Sequence, residues 1–324
     1  MTLNSLPVLI LNPHSRCNCR CTMCDIWKTT EAQEISVHDL KRQLQSIERL
    51  RVQWVVFSGG EALMHSDLWG LIDLLRKRQI RITLLSSGLL LGRHAASLVK
   101  SVDDVIISLD GPPAIHNSIR GVPGAFEITA AGIASILERD SDFCISARCT
   151  VQRSNFRHLR ETVDAARGLH LNSISFLAAD IDSTAFARPD GWALEKKTTI
   201  GLDTAEIAAL ELEMEALISR GECGSFVCES PAKLRRIAHH FRAALNEIPA
   251  VAPACNAPWK SAVVEADGSV RPCFFHGPIG NLNSGKPLEQ ILNSPEAVAF
   301  RGSLNVATNP ICQKCVCSLN WRSQ

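Results

Sequence analysis

Four cysteines fall within eight positions of one stretch, SRCNCRCTMCDIW, as Cys17, Cys19, Cys21 and Cys24. In a reducing compartment, thiols this close together are metal ligands before they are disulfides. Cys17, Cys21 and Cys24 read C-x3-C-x2-C, which lets a single loop wrap three thiolates round one inorganic core. Iron–sulfur cubanes take four protein thiolates as a rule. Three leave one iron open, and an open coordination position separates a reactive metal site from a structural one. A zinc knuckle using Cys19 or His14 as fourth ligand is the alternative that spacing alone leaves open. Five more cysteines gather far along the chain: Cys255, Cys273, Cys312, Cys315 and Cys317. Cys255, Gly268 and Cys273 read C-x12-G-x4-C, Cys312 and Cys315 read C-x2-C, and SAVVEADGSVRPC reads as a hairpin turning at Asp267 and Gly268. Four of these thiolates suit a second cluster or a tetrahedral zinc, with Cys317 as a spare or as an alternative to Cys315.

Residues of this kind must be held by a rigid frame. Between residues 6 and 177 the runs PVLIL, WVVFSGG, IRITLLSSG, DDVIISLDG, FCISARCTV and SISFL read as strands, and amphipathic stretches follow the first five. That alternation predicts a parallel βα array wound by right-handed crossovers into a sheet or partial barrel. In such arrays the loops at the carboxyl ends of the strands carry the chemistry. The cysteine loop, SGGE, SSG and SLDG all fall at that level. Residues 178–202 read as an irregular linker or lid, and two helices with GECGSFVCE between them follow. The expected division is 1–200 for the core, 201–250 for a helical linker, and 251–324 for a small cysteine-bearing domain.

Composition narrows the classes. The chain has 324 residues, 46% hydrophobic and 21% charged, with no apolar run long enough to span a membrane. No basic segment opens the short apolar N-terminal stretch, so it reads as a first strand rather than an export signal, and the expected compartment is the cytoplasm. A net charge of +1 lacks the footprint of a nucleic-acid binder. Tyrosine is absent, which excludes tyrosyl-radical chemistry. The core begins almost at Met1, leaving no room for a leader-binding domain in front and pointing to a small molecule, or to a peptide delivered by a separate partner.

C-x3-C-x2-C after a first strand, with GGE ending the second, resembles the radical S-adenosylmethionine superfamily. The resemblance implies a [4Fe–4S] cluster on Cys17, Cys21 and Cys24, whose open iron is chelated by S-adenosylmethionine, and one-electron cleavage of the sulfonium to a 5′-deoxyadenosyl radical. Gly59, Gly60 and Glu61 then hold the methionine end. Met23 stands where relatives place an aromatic residue against adenine. Ser86, with Ser87 and Gly88, sits at the ribose level, and Ser108 and Asp110 end the next strand. HNSIRG resembles the family stretch H-D-x-x-R-G, giving Arg120 the cofactor carboxylate; Val151, with Thr150 and Asn155, falls near the adenine. The second cysteine group resembles the twitch domain, the short form of the SPASM domain, which implies an auxiliary [4Fe–4S] cluster on Cys255, Cys273, Cys312 and Cys315. Trp321 stands where the longer form has its next cysteine.

The implied fold is α/β: a partial (β/α)6 TIM-like barrel with a small C-terminal twitch/SPASM-like auxiliary-cluster domain. A fully thiolate-bound auxiliary cluster has no open iron, so its expected job is to move electrons. The leading expectation is a redox modification, a dehydrogenation, of a small molecule or natural-product precursor, with flavodoxin or ferredoxin as reductant. Alternatives are a peptide or sugar epimerase or crosslinking enzyme, with Cys223 or Cys228 donating a hydrogen atom, and a non-catalytic iron–sulfur electron carrier. GGE and Arg120 argue against the carrier, which has no use for amino-acid chelation.

Overall fold

Six short runs rich in Val, Ile and Leu form the strands β1 (Val8–Leu11), β2 (Trp54–Phe57), β3 (Arg81–Ser86), β4 (Asp104–Ser108), β5 (Cys144–Val151) and β6 (Ser173–Ala178). The computed structural model describes residues 2–322; Met1, Ser323 and Gln324 lie outside it. Neighbouring strands pair in parallel and in chain order, β1 to β6, which is the topology expected of successive βα units. Each crossover carries helix, and the helices are closed by local signals. Helix Val37–Arg49, for example, starts on a capping box in which Ser36 and Asp39 satisfy each other's backbone N–H groups.

The strands divide by period two. On β5, Ile145, Ala147, Cys149 and Val151 are buried in the main apolar core with Ile174, Phe176 and the helices. Cys144, Ser146, Arg148 and Thr150 take the other, partly open face. Because successive side chains alternate across a strand, this second face is the concave inner surface of the array. It is polar where the core face is not.

The C-terminal part does not stand apart from this frame. β7 (Ser261–Val264) pairs in parallel with β1, from Val8 beside Ser261 to Leu11 beside Val264, and β8 (Ser269–Arg271) and β9 (Gly280–Asn281) extend the sheet antiparallel, giving nine strands in the order β6-β5-β4-β3-β2-β1-β7-β8-β9. The expected hairpin is present, with Gly268 at φ +83° in its turn. The segment expected as a small separate domain thus occupies the free edge of β1 and shares the sheet. At the opposite edge, β6 is covered by a single parallel bridge from Ile174 to Val227 and by helix Pro231–Ala244. The expected linker is irregular up to residue 193 and then forms helix Leu194–Ile200, ahead of helix Thr204–Ile218. Among the described residues no helix is long and apolar enough to cross a membrane.

Candidate functional site

The loop after β1 is pinned from two sides before any cofactor is considered. Glu61 N–H donates to the Arg16 carbonyl at 2.9 Å, and Arg20 N–H to the Arg120 carbonyl at 2.9 Å. A Cβ on Gly60 would lie 2.1 Å from the Arg16 carbonyl oxygen, and one on Gly59 would lie 2.9 Å from Asn12 Cβ. These glycines admit the chain that follows β1 to close approach. Glu61 stands beside them. It is fully buried, and its carboxylate accepts from Ser87 N–H at 2.7 Å, Leu63 N–H at 3.1 Å and Ser86 Oγ at 3.1 Å, so it ties the GGE turn to the end of β3. Burial still raises its pKa, against those donors. Ser86 is thereby buried and engaged, and Gly88 N–H donates to its hydroxyl.

Cys17, Cys21 and Cys24 lie within one another's electrostatic reach. Cys19 is buried between them, and its closeness to Cys17 and Cys21 raises its own pKa and lowers theirs, that of Cys21 to about 6. Burial pushes the Cys24 thiol up to about 12. Arg120, at the end of helix Pro113–Arg120, donates from Nη1 to Cys21 Sγ at 3.4 Å and pairs through Nη2 with Asp110 Oδ2 at 2.5 Å. Burial opposes the guanidinium charge, but Asp110 and Cys21 outweigh it and raise the pKa of Arg120. Asp110 also accepts from Thr150 N–H at 2.9 Å, and its own N–H donates to His116 Nδ1 at 3.2 Å. Burial and Arg120 hold His116 neutral, with a pKa of about 3. The acid end of β4 and the arginine therefore meet each other and a cysteine ligand, where the sequence had aimed Arg120 at a cofactor carboxylate alone.

The remaining expected cofactor residues fall on either side of this group. Ser108 lies on the inner face of β4, in register with Arg148. Met23 packs against a small cluster of Ala179, Ile181, Trp192 and Ile200. Val151 is a correction: it is wholly buried on the core face, so only its backbone reaches the rim. Gln152 stands there instead. Thr22 Oγ1 donates to its Oε1 at 3.1 Å, which leaves Nε2 buried and unpartnered. Sequence reading missed it, although a polar residue one step past an inner-facing Thr at a strand end is the available signal.

Cys223 and Cys228 are also corrections. Cys228 N–H donates to the Ile174 carbonyl and Ile174 N–H to the Phe226 carbonyl, which puts this loop beside the first turn of β6. That is the end of the strand away from the cysteine loop, and Cys228 is exposed to solvent there.

The second cysteine group does assemble. Cys312, Cys315 and Cys317 each sense the charge of both Cys255 and Cys273. Burial raises these thiols, Cys312 and Cys317 to about 11. His276 Nε2 lies 3.4 Å from Cys312 Sγ, and Arg236 Nη2 donates to the Cys315 carbonyl at 2.5 Å. Nearby, Trp321 lies tilted against Trp54 at the start of β2, with ring centroids 6.1 Å apart, so the C-terminal segment runs across the inner face. Between the two groups, the irregular segment contributes a buried ion pair, Arg188 with Asp180; Arg188 acts on Cys24 and Asp180 on Cys317. Neither residue carried a sequence signal.

Among the described residues no three His, Cys, Asp or Glu side chains close round a single ion. The cysteines stand instead in two wider groups. The first borders the buried, unpartnered atoms Arg120 Nε and Gln152 Nε2, so both the thiol set and the unmet polar atoms fit an iron–sulfur cluster with a polar organic ligand.

Comparison with known proteins agrees. Residues 11–166 match the radical SAM superfamily, and residues 255–316 match the iron–sulfur cluster-binding domain called SPASM. The AdoMet-dependent heme synthase of Oleidesulfovibrio alaskensis is 31% identical over 150 residues, 45% of this chain and 38% of that protein. The antilisterial bacteriocin subtilosin biosynthesis protein AlbA of Bacillus subtilis is 25% identical over 288 residues, 86% of this chain and 58% of that one. The chain thus spans less than two thirds of the length of these curated relatives. The crystal structure of Streptococcus suis SuiB bound to S-adenosylmethionine superposes with a TM-score of 0.69 at 15% identity, covering 98% of this chain and 74% of that one, a likeness of fold. The cofactors of these two domains are [4Fe–4S] clusters and S-adenosylmethionine.

Proposed function

We propose, for a chain that belongs to the radical SAM superfamily and ends in a SPASM-type iron–sulfur domain, a redox modification begun by hydrogen-atom abstraction and completed by transfer of an electron to the auxiliary site. When bound, the cofactors supply a 5′-deoxyadenosyl radical at the first site and a one-electron acceptor at the second. Cys17, Cys21 and Cys24 would hold the first cluster. Cys255, Cys273 and Cys312, with Cys315 or Cys317, would hold the auxiliary one. Arg120, kept charged by Asp110, would place a fixed positive charge at Cys21 and offer its Nε toward the cofactor. Cys19 lies close to Cys17 and Cys21 and lowers their pKa values. Glu61 and the two glycines hold the loop in register with β3.

The observation that supports this reading is that one framework joins the two groups: Thr150 N–H on β5 donates to the Asp110 that pairs Arg120 on Cys21, and the buried Arg188–Asp180 pair acts on Cys24 at one end and on Cys317 at the other. Cys223 and Cys228, at the far end of β6, do not support a hydrogen-donating epimerase. A second reading, in which the substrate is a bacteriocin-type precursor, draws on the similarity to AlbA over 86% of the chain.

The test is anaerobic turnover of reconstituted protein with dithionite and S-adenosylmethionine in heavy water, against sugar and peptide panels. Formation of 5′-deoxyadenosine with an oxidised, deuterium-free product is expected. Deuterium in a redox-neutral product would transfer the assignment to an epimerase, and intact S-adenosylmethionine would leave an electron carrier.

A further inference from the structure

Two arginines lie on the inner face of the array, and only one is neutralised. Arg81, at the start of β3, pairs with Asp104 at 2.8 Å. Arg148, in the middle of β5, is exposed; its Nε donates to Ser175 Oγ at 3.4 Å, and among the described residues no carboxylate lies within ion-pair distance of it. Its register neighbours are hydroxyls, and Glu229 and Cys317 lie within electrostatic reach but not in ion-pair contact. Ser108 and Ser175 are its register partners on β4 and β6, Thr150 follows it on the same face, and Ser146 and Ser173 bond each other at 2.9 Å one step below. An open depression of about 510 Å³ at the starts of β3, β4 and β5, lined by Arg76, Gln79, Arg81, Asp103, Asp104 and Cys144, is separate from Arg148. The core face of β5 is fully satisfied by apolar packing, so the fold itself makes no demand for a charge at this position. A guanidinium left without a counter-ion between two reactive groups is a fork that matches a carboxylate in two bonds.

We propose that Arg148 is the specificity determinant of this site, and that the substrate carries a carboxylate which it pairs while the reacting carbon lies toward Thr150. This rests on the reading of the inner face as the substrate surface. The carboxylate has two possible sources, a small organic acid or an acidic peptide side chain, and the two share one recognition chemistry.

The test measures binding rather than turnover, by fluorine NMR on the reconstituted protein with S-adenosylmethionine bound. Two probe pairs are compared: 4-fluorobenzoate with 4-fluorobenzamide, and 4-fluorobenzoyl-Gly-Asp-Gly-amide with its Asn twin. In at least one pair the acid binds tenfold or more tightly than the amide, and the pair that discriminates identifies the source. Arg148→Gln removes that preference and Arg148→Lys, which keeps the charge but not the fork, retains part of it. Equal binding of acid and amide in both pairs, or a preference that survives Arg148→Gln, overturns the proposal. Failure to cleave S-adenosylmethionine would sink the proposed function and leave this binding result standing.

Discussion

The two cysteine groups solve the same problem in opposite ways. The first is a contiguous eight-residue loop with a fixed charge beside it: Arg120 donates to Cys21 Sγ, and Arg120 with the neighbouring Cys19 lowers the Cys21 pKa to about 6. The second draws thiols from three separate stretches of chain, and burial raises four of its five cysteines. Arg236 and His276 stand beside it, and the charges of Arg148, Asp180 and Arg271 reach it. A site that must bind and activate a polar organic cofactor is built with fixed charges around it. The second site, for which electron transfer is proposed, is built by enclosure.

Breaking the first group has the largest expected effect. Replacing Cys17, Cys21 and Cys24 together by Ala abolishes 5′-deoxyadenosine formation and removes about half of the bound iron, read by chromatography and iron assay. Retention of activity would show that the loop is not the reactive site. Arg120→Gln, which removes the charge on Cys21 and strands Asp110, lowers the rate of S-adenosylmethionine cleavage by about 10–100-fold. A smaller loss would reduce Arg120 to packing. Gly60→Ala forces a Cβ to within 2.1 Å of the Arg16 carbonyl oxygen and costs about 1–3 kcal/mol in chemical denaturation, with displacement of the cysteine loop. The slightest effect concerns pH. His116 is neutral in the fold, with a pKa of about 3, below its unfolded value, so the unfolded chain binds more protons as the medium is acidified. Stability is therefore fully present above pH ~6.5 and falls by up to about 1.4 kcal/mol per unit between there and pH ~3. His116→Gln flattens that part of the profile.

The contrast also explains what the sequence disclosed. The first site is local, so spacing displays Cys17, Cys21 and Cys24, the strand ends display Glu61 and Asp110, and the resemblance of HNSIRG to a family stretch supplies Arg120. Partnership is what spacing hides. Glu61 turns inward to Ser86 and Ser87, and Arg120 turns to Asp110, because burial demands a partner for each charge before a cofactor arrives. Period two along β5 correctly separates Arg148 from Cys149, yet Val151 and Gln152 exchange roles at the rim, where the alternation ends. The auxiliary hairpin was readable from Asp267 and Gly268, but its pairing with β1 was not, since a parallel partner 250 residues away leaves no local trace. Arg188 and Asp180 are legible only in the fold, for the same reason.

The separation of duties between the two groups is tested most directly by one variant. Replacing Cys312, Cys315 and Cys317 by Ala should leave reductive cleavage of S-adenosylmethionine to 5′-deoxyadenosine intact while the oxidised product disappears. Continued formation of that product without an auxiliary cluster, or loss of cleavage in a folded variant that still holds the first cluster, would contradict it.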